Sequence, residues 1–112
     1  MSDSFGENGS LYSIYGADPD LRDLVELFVE EMPDRIECLL AQSRNRDWAQ
    51  LRRTAHAIKG AAGTYGFEQF TPVAHRLESQ AQEGRPETEI LQGVEALIDL
   101  CRRARPGKAG GP

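Results

Sequence analysis

The chain has 112 residues, of which 39% are hydrophobic and 28% are charged, and this composition suits one soluble domain and excludes a largely disordered chain. A formal net charge of −5 argues against general nucleic-acid binding, which needs a basic surface. The longest apolar runs are far too short to span a membrane, and the N-terminus, MSDSFGENGS, lacks the basic start and apolar stretch of a secretory signal. We therefore expect a cytoplasmic protein without membrane association.

Glycine and proline divide the chain into one domain between two flexible ends. Residues 1–10 and 105–112 are rich in glycine and small or polar residues, so a flexible N-terminus and a flexible C-terminal tail are predicted. Residues 11–104 are predicted to form the domain, and residues 11–16 could add a short extended lead-in.

The first predicted helix begins after Asp18-Pro19, a pair that supplies an N-cap and a first helical residue with a preset φ. Pro33 lies inside the helical pattern and should kink the helix or split it. Residues 18–37 are acidic, with eight acidic and two basic side chains. The apolar stripe consists of Leu21, Val25, Phe28, Met32, Ile36 and Leu39.

The second predicted helix runs from a cap at Asp47 to about Tyr65, and Gly66 ends it. Residues 44–60 are basic, with five basic side chains and one acidic one, so this helix contrasts in charge with the first. Its buried stripe is predicted to be Leu51, Ala55, Ile58, Ala62 and Tyr65.

The third helix is predicted over roughly 67–83, with Pro72 in its first turns or with Thr71 as the cap, and Gly84 ends it. The fourth is predicted over about 87–104. Their inward positions are Phe67, Phe70, Ala74, Leu77 and Ala81, then Ile90, Val94, Leu97, Ile98 and Cys101. Short connections favour an all-α, antiparallel up-down four-helix bundle.

The two cysteines lie in separate helical patterns and have no CxxC spacing. Cys38 and Cys101 are therefore expected to be buried thiols of a protein in a reducing compartment.

The second helix has a further face, turned roughly 130° from its apolar stripe at about 100° per residue. On this face His56, Lys59, Gly60 and Gly63 lie at i, i+3, i+4 and i+7. Two interior glycines each cost roughly 1 kcal/mol relative to alanine, so helix stability does not explain them. The glycines either clear a path to an exposed histidine or permit close helix packing.

These residue types suit phosphoryl transfer. A neutral imidazole is a good nucleophile, and the unperturbed pKa of histidine is about 6.5. Lys59 is placed to offset the charge of phosphoryl oxygens, and removal of side chains at Gly60 and Gly63 would let a partner approach the ring. Arg52 and Arg53, one turn earlier, extend the positive field toward an acidic partner.

The run AHAIKGAAGTYGF, residues 55–67, resembles the signature of the histidine phosphotransfer (HPt) family, in which Lys-Gly follows the histidine at +3 and +4. The similarity extends over residues 18–104 and is strongest to the phosphotransfer domain of chemotaxis histidine kinases. It implies that His56 is phosphorylated, that Lys59 assists, that Glu78 accepts a hydrogen bond from the other ring nitrogen, and that His75 lies nearby.

The resemblance implies a phosphocarrier without kinase activity of its own, in a phosphorelay between a histidine kinase, possibly a hybrid one, and receiver domains of response regulators. The docking face would comprise Arg52, Arg53, Gly60 and Gly63. We expect a monomer with no cofactor and no bound metal, because magnesium would belong to the partner. The chain is a stand-alone carrier or a fragment of a longer protein.

Two other functions compete with this one. A helical adaptor could bind a receiver-like partner without accepting phosphate, and it would tolerate His56→Gln, whereas a carrier would not. His56, His75 and Glu78 could alternatively bind zinc or iron, but no fourth ligand is evident and Lys59 would repel a cation.

Overall fold

The computed structural model describes residues 9–108. Within this range the chain forms five helices and two short strands: β1 (Leu11–Tyr12), α1 (Arg22–Glu30), α2 (Met32–Arg44), α3 (Trp48–Thr64), α4 (Phe70–Glu83), α5 (Glu87–Arg103) and β2 (Ala104–Arg105). The predicted all-α class is confirmed. Residues 1–8 and 109–112 of the predicted flexible ends lie outside the described residues, and the flexibility of both ends stays a prediction.

The first predicted helix is divided into α1 and α2 at Glu31, and Pro33 lies in the first turn of α2, where no intrahelical donor is required of it. The prediction that this proline kinks or splits the helix is confirmed. The helix begins later than predicted, at Arg22. A turn precedes it, in which the Asp18 carboxylate accepts a hydrogen bond of 2.8 Å from the backbone N–H of Asp20.

Helix α3 agrees with the sequence pattern at both ends. The Asp47 side chain accepts a hydrogen bond of 3.2 Å from the backbone N–H of Gln50 and so caps the first turn. Gly66 follows the helix with φ 83°, and the N–H of Phe67 donates to the carbonyl of Ala62 at 2.8 Å, as in the Schellman motif.

Helix α4 begins at Phe70, so Pro72 occupies its first turn, and the alternative with Thr71 as the cap is wrong. Residues 67–69 form a turn in which the N–H of Phe70 donates to the carbonyl of Phe67 at 3.1 Å, and the helix grows directly out of this turn. Gly84 ends α4 with φ 69°, as predicted.

The helices pack into a bundle: α3 lies against α4, α4 against α5, and α2 against both α3 and α5. Nearly all predicted inward positions are buried, while Leu21, Ile36, Tyr65 and Ala81 are half-buried. An aromatic cluster fills the core beneath α1, where the Phe28 ring stacks on Phe67 at 5.0 Å and meets Phe70 edge-on at 5.7 Å. These contacts fix α1 to the turn between α3 and α4.

The cysteines differ in burial. Cys101 is buried, as expected, and burial raises the pKa of its thiol to about 12. The expectation that Cys38 is buried is wrong, since this thiol is exposed. Leu39 takes the buried position on α2, and one residue of helix turns Cys38 about 100° away from the core.

The predicted lead-in is extended at its start, where β1 pairs in parallel with β2, Leu11 opposite Ala104 and Tyr12 opposite Arg105. Further along, Ile14 N–H donates to the Gly66 carbonyl at 3.0 Å, and the buried Ser13 hydroxyl donates to the Tyr65 carbonyl. The lead-in therefore anchors the C-terminal end of α3, the helix that carries His56.

Candidate functional site

The buried and exposed faces of α3 separate as the sequence pattern indicates. Leu51, Ala55, Ile58 and Ala62 are fully buried, whereas the His56 side chain is 66% exposed. Gly60 and Gly63 are exposed, and among residues 9–108 a Cβ added at either would meet no atom within 4 Å other than those of its chain neighbours and of the backbone of α3. The alternative that these glycines permit close helix packing is therefore wrong.

Helix α4 supplies a carboxylate to the exposed histidine. His56 Nδ1 lies 2.8 Å from Glu78 Oε2, so the two side chains bridge α3 and α4. Glu78 is only 14% exposed, and its carboxylate lies beneath the ring rather than in open solvent. This contact fixes the orientation of the imidazole on the surface.

Lys59 reaches the same carboxylate from α3. Its Nζ lies 2.7 Å from Glu78 Oε1, so each carboxylate oxygen has one partner. The Lys59 ammonium is the main cause that holds the pKa of the Glu78 carboxyl below its usual range, against the opposing effect of burial, and the hydrogen bond with His56 adds to the lowering. Glu78 is consequently an anion over the whole physiological range.

The charge of Glu78 determines which nitrogen of His56 carries the proton. An ionised carboxylate can only accept hydrogen bonds, so Nδ1 must be the donor in the contact with Glu78. A neutral imidazole has one N–H, and its lone pair is then on Nε2, which makes no hydrogen bond within residues 9–108. The site thus offers a nucleophilic nitrogen on the solvent side of a fixed ring.

His75, on α4, is the fourth member of a side-chain cluster that also contains His56, Lys59 and Glu78. Its Nδ1 lies 3.4 Å from Lys59 Nζ, and its side chain is exposed. The ammonium of Lys59 is therefore shared between Glu78 and His75, and neither contact involves the nucleophilic side of the His56 ring.

The two arginines before His56 differ in surroundings. Arg52 is half-buried, whereas Arg53 is exposed and borders an open groove between α2 and α3. This groove is lined by Glu31, Asp34, Arg35, Cys38, Arg53, Thr54 and Ala57. The docking face predicted from the sequence names Arg53 but no residue of α2, although the excess of acidic residues in 18–37 is a signal for the α2 side of the groove.

Two further findings concern the described part of the chain. No helix within residues 9–108 is long and apolar enough to cross a membrane. In the same range, no three His, Cys, Asp or Glu side chains are grouped so that they could hold a metal ion.

The fold and the site define a helical domain organised around one exposed histidine that is bound by a carboxylate from the neighbouring helix. The model of the Hpt, or histidine phosphotransfer, domain family matches residues 23–105, and the chain belongs to this family. Proteins of this kind act in phosphorelays and two-component signalling.

Curated relatives are distant but agree with this family. The chain is 28% identical over 86 residues to the chemotaxis protein CheA of Listeria monocytogenes, and this alignment covers 70% of the chain and 14% of CheA. It is 27% identical over 96 residues to the phosphorelay protein LuxU of Vibrio vulnificus, and this alignment covers 86% of the chain and 82% of LuxU. The chain thus spans a small part of CheA and most of LuxU. No solved structure matches it significantly.

Proposed function

We propose that His56 accepts a phosphoryl group on Nε2 and passes it to or from aspartates of receiver domains in a two-component phosphorelay. The observation that carries this proposal is the hydrogen bond between His56 Nδ1 and Glu78 Oε2, since it leaves Nε2 as the exposed nucleophile. Without a fixed tautomer, a surface histidine would present either nitrogen to a donor.

The transfer step balances without any group beyond donor and acceptor. The Nε2 lone pair attacks phosphorus in line, an N–P bond forms, and the P–O bond of the phospho-aspartate breaks. The electron pair of that bond leaves with the aspartate carboxylate, and Nδ1 keeps its proton. The ring is cationic in the product, and Glu78 stabilises that charge through the same 2.8 Å contact. The reverse sequence delivers the group to a second receiver.

Lys59 assists by charge. Lys59 follows His56 by one turn of α3, and its ammonium is paired with the carboxylate of Glu78. Its flexible side chain would turn toward the oxygens of a phosphoryl group that reaches His56. The negative charge that the phosphoryl group brings to His56 would attract the Lys59 ammonium and drive this movement.

The docking face comprises Arg52, Arg53, Gly60 and Gly63. The open space that the described residues leave around a Cβ at either glycine supports a role in admitting a partner, because stability alone would favour alanine there. The arginines would attract the acidic pocket of a receiver domain, and magnesium would be bound by that pocket rather than by this chain.

The partners follow from the same proposal. A receiver domain or a histidine kinase, possibly a hybrid one, donates the phosphoryl group, and the domain has no kinase activity of its own. We also propose a cytoplasmic monomer with an antiparallel up-down bundle over residues 11–104. The names of CheA and LuxU support a chemotaxis-type or relay-type pathway, respectively.

The test is phosphoryl transfer from labelled receiver domains to wild-type protein and to His56→Gln. A carrier acquires acid-labile, alkali-stable label at position 56, and the variant acquires none. His75→Gln is the matched control, since it removes the neighbouring imidazole. Label that survives acid, or that persists in His56→Gln, contradicts the proposal, and full biological activity of His56→Gln would indicate the adaptor function instead.

A further inference from the structure

The ammonium of Lys59 has two contacts, one with the carboxylate of Glu78 and one with the imidazole of His75. Lys59 Nζ lies 2.7 Å from Glu78 Oε1 and 3.4 Å from His75 Nδ1. An ammonium can only donate, so His75 Nδ1 accepts this hydrogen bond and must be unprotonated while the contact exists.

We infer that His75 is a positioning residue that controls, through its own protonation, whether Lys59 is free to bind a phosphoryl group on His56. Neutral His75 adds a second contact that holds Lys59 beside Glu78, and this contact opposes the movement of the ammonium toward a phosphoryl group on His56. Protonated His75 has no lone pair for Lys59 and repels it. This inference rests on the proposed function of His56.

The positions of His75 and Glu78 on α4 add a second effect that would move Lys59 away from Glu78 when His75 is protonated. His75 and Glu78 are three residues apart on one helix, so their side chains are neighbours on the same face. A protonated His75 would compete with Lys59 for the Glu78 carboxylate. Both effects of protonation therefore act in the same direction and displace the ammonium toward His56.

Other charged groups do not compensate for this change. From α3, the groups that face His75 are Lys59 and, beyond it, His56. On its own helix Glu78 is the nearby anion, and Arg76 is exposed beside it. Helix α5, which packs against α4, has four acidic residues. Three of them form ion pairs elsewhere, Glu87 with Arg46, Glu89 with Arg85 and Asp99 with Arg103, and the fourth, the exposed Glu95, forms none within residues 9–108. No ion pair within residues 9–108 links His75 to α5.

Protonation of the His75 ring would therefore change the population of Lys59 that is free to move toward His56. When His75 is protonated, retention of the phosphoryl group on His56 should rise relative to a protein in which residue 75 cannot bind a proton. One hydrogen bond changes such an equilibrium by about 2- to 10-fold.

The first measurement needs no phosphorylation. The ¹⁵Nζ resonance of Lys59 is followed by NMR as the His75 ring is titrated, in wild-type protein and in His75→Asn, whose amide is never charged. We expect the Lys59 resonance to move in step with His75 and to remain fixed in the variant. A Lys59 resonance that ignores the state of His75 would overturn the inference.

The second measurement uses potassium phosphoramidate, a donor that needs no partner protein, to phosphorylate His56 chemically. The lifetime of this group is measured across the pH range for wild type, His75→Asn and His75→Lys, the last with a permanent cation at position 75. Intrinsic acid lability is common to all three and cancels in their ratios. The wild-type lifetime should match His75→Asn at high pH and approach His75→Lys at low pH.

A constant ratio between wild type and His75→Asn at every pH would overturn the inference. Failure of the proposed function looks different, because receiver domains would then neither donate to His56 nor accept from it, whatever residue occupies position 75. The two outcomes are therefore distinguishable in the same set of proteins.

Discussion

The ion pair between Lys59 Nζ and Glu78 Oε1, 2.7 Å long, joins α3 to α4 directly beside the exposed ring of His56. Glu78 thus neutralises the lysine and orients the histidine at the same time. This double role makes Glu78 the residue on which the geometry of the site depends.

Replacement of Glu78 by glutamine should slow phosphorylation of His56 strongly. The amide can present either an oxygen or an N–H group to Nδ1, so the Nδ1–H tautomer is no longer enforced, and the cationic ring of the product loses its counter-ion. Removal of the partner that orients a histidine ligand in metal sites costs about 10- to 100-fold, and a similar loss is expected here. The rate of label transfer from a receiver domain measures it.

Glu83→Gln is the matched control for this experiment. Glu83 is the last residue of the same helix and is exposed, and within residues 9–108 it makes no hydrogen bond to His56 or Lys59. It should transfer at the wild-type rate. Equal rates for Glu78→Gln and wild type would show that the carboxylate does not orient the ring.

The dependence of the free energy of unfolding on pH in acid should reveal the ion pair between Lys59 and Glu78. The ammonium is the main cause of the lowered pKa of Glu78, whose ordinary value is 4.5. A lowered pKa in the folded state means that the unfolded chain binds more protons in acid, so this stabilisation is present above the ordinary value and is lost as pH falls below it.

Lys59→Met should therefore lower the free energy of unfolding at neutral pH, and its stability should decline less steeply below the ordinary pKa of Glu78. Urea unfolding at neutral pH and at about pH 3.5 measures both effects. Arg53→Met is the control, because Arg53 is an exposed cation of the same helix that makes no ion pair within residues 9–108. Parallel declines for Lys59→Met and wild type would contradict the assignment.

The pattern of α3 could be predicted because its causes are local. Buried positions recur with the helical period, Asp47 caps the first turn, and Gly66 permits the positive φ that ends the helix. The sequence also identifies His56, Lys59, His75 and Glu78, although the roles of Glu78 and His75 follow from the family resemblance and not from periodicity.

Contacts between residues that are far apart in the chain leave no such local pattern in the sequence. The Ser13 hydroxyl meets the Tyr65 carbonyl 52 residues away, and β1 pairs with β2 at the other end of the chain. Lys59 could equally have extended into solvent, and only the packing of α3 on α4 brings it to Glu78 and His75. Cys38 was misassigned because helical spacing alone does not distinguish adjacent flanks of a stripe.

Alanine at Gly60 or Gly63 should separate stability from function. Each glycine lies inside α3, and the described part of the chain leaves open space where a Cβ would be, so alanine should raise the free energy of unfolding by about 1 kcal/mol per site. The added methyl group lies on the docking face beside His56, so transfer from a receiver domain should become slower as the protein becomes more stable.

Gln92→Ala is the control for this pair, since Gln92 is exposed on α5 and belongs to no part of the proposed face. It should leave the rate of transfer unchanged. Urea unfolding and transfer kinetics are measured on the same samples. Faster or unchanged transfer in both glycine variants would contradict a role of these positions in admitting a partner.

Gly66→Ala should destabilise the protein more than Gly84→Ala, although both glycines follow a helix with positive φ, 83° and 69°. The left-handed conformation costs an alanine about 1–2 kcal/mol at either site. At Gly84 a Cβ would meet open space among residues 9–108, whereas at Gly66 it would lie 2.6 Å from the Ser13 hydroxyl and 2.7 Å from the Tyr15 ring. The excess loss in urea unfolding therefore measures how firmly the lead-in holds the end of α3. Equal losses at the two sites would mean that the lead-in contributes nothing there.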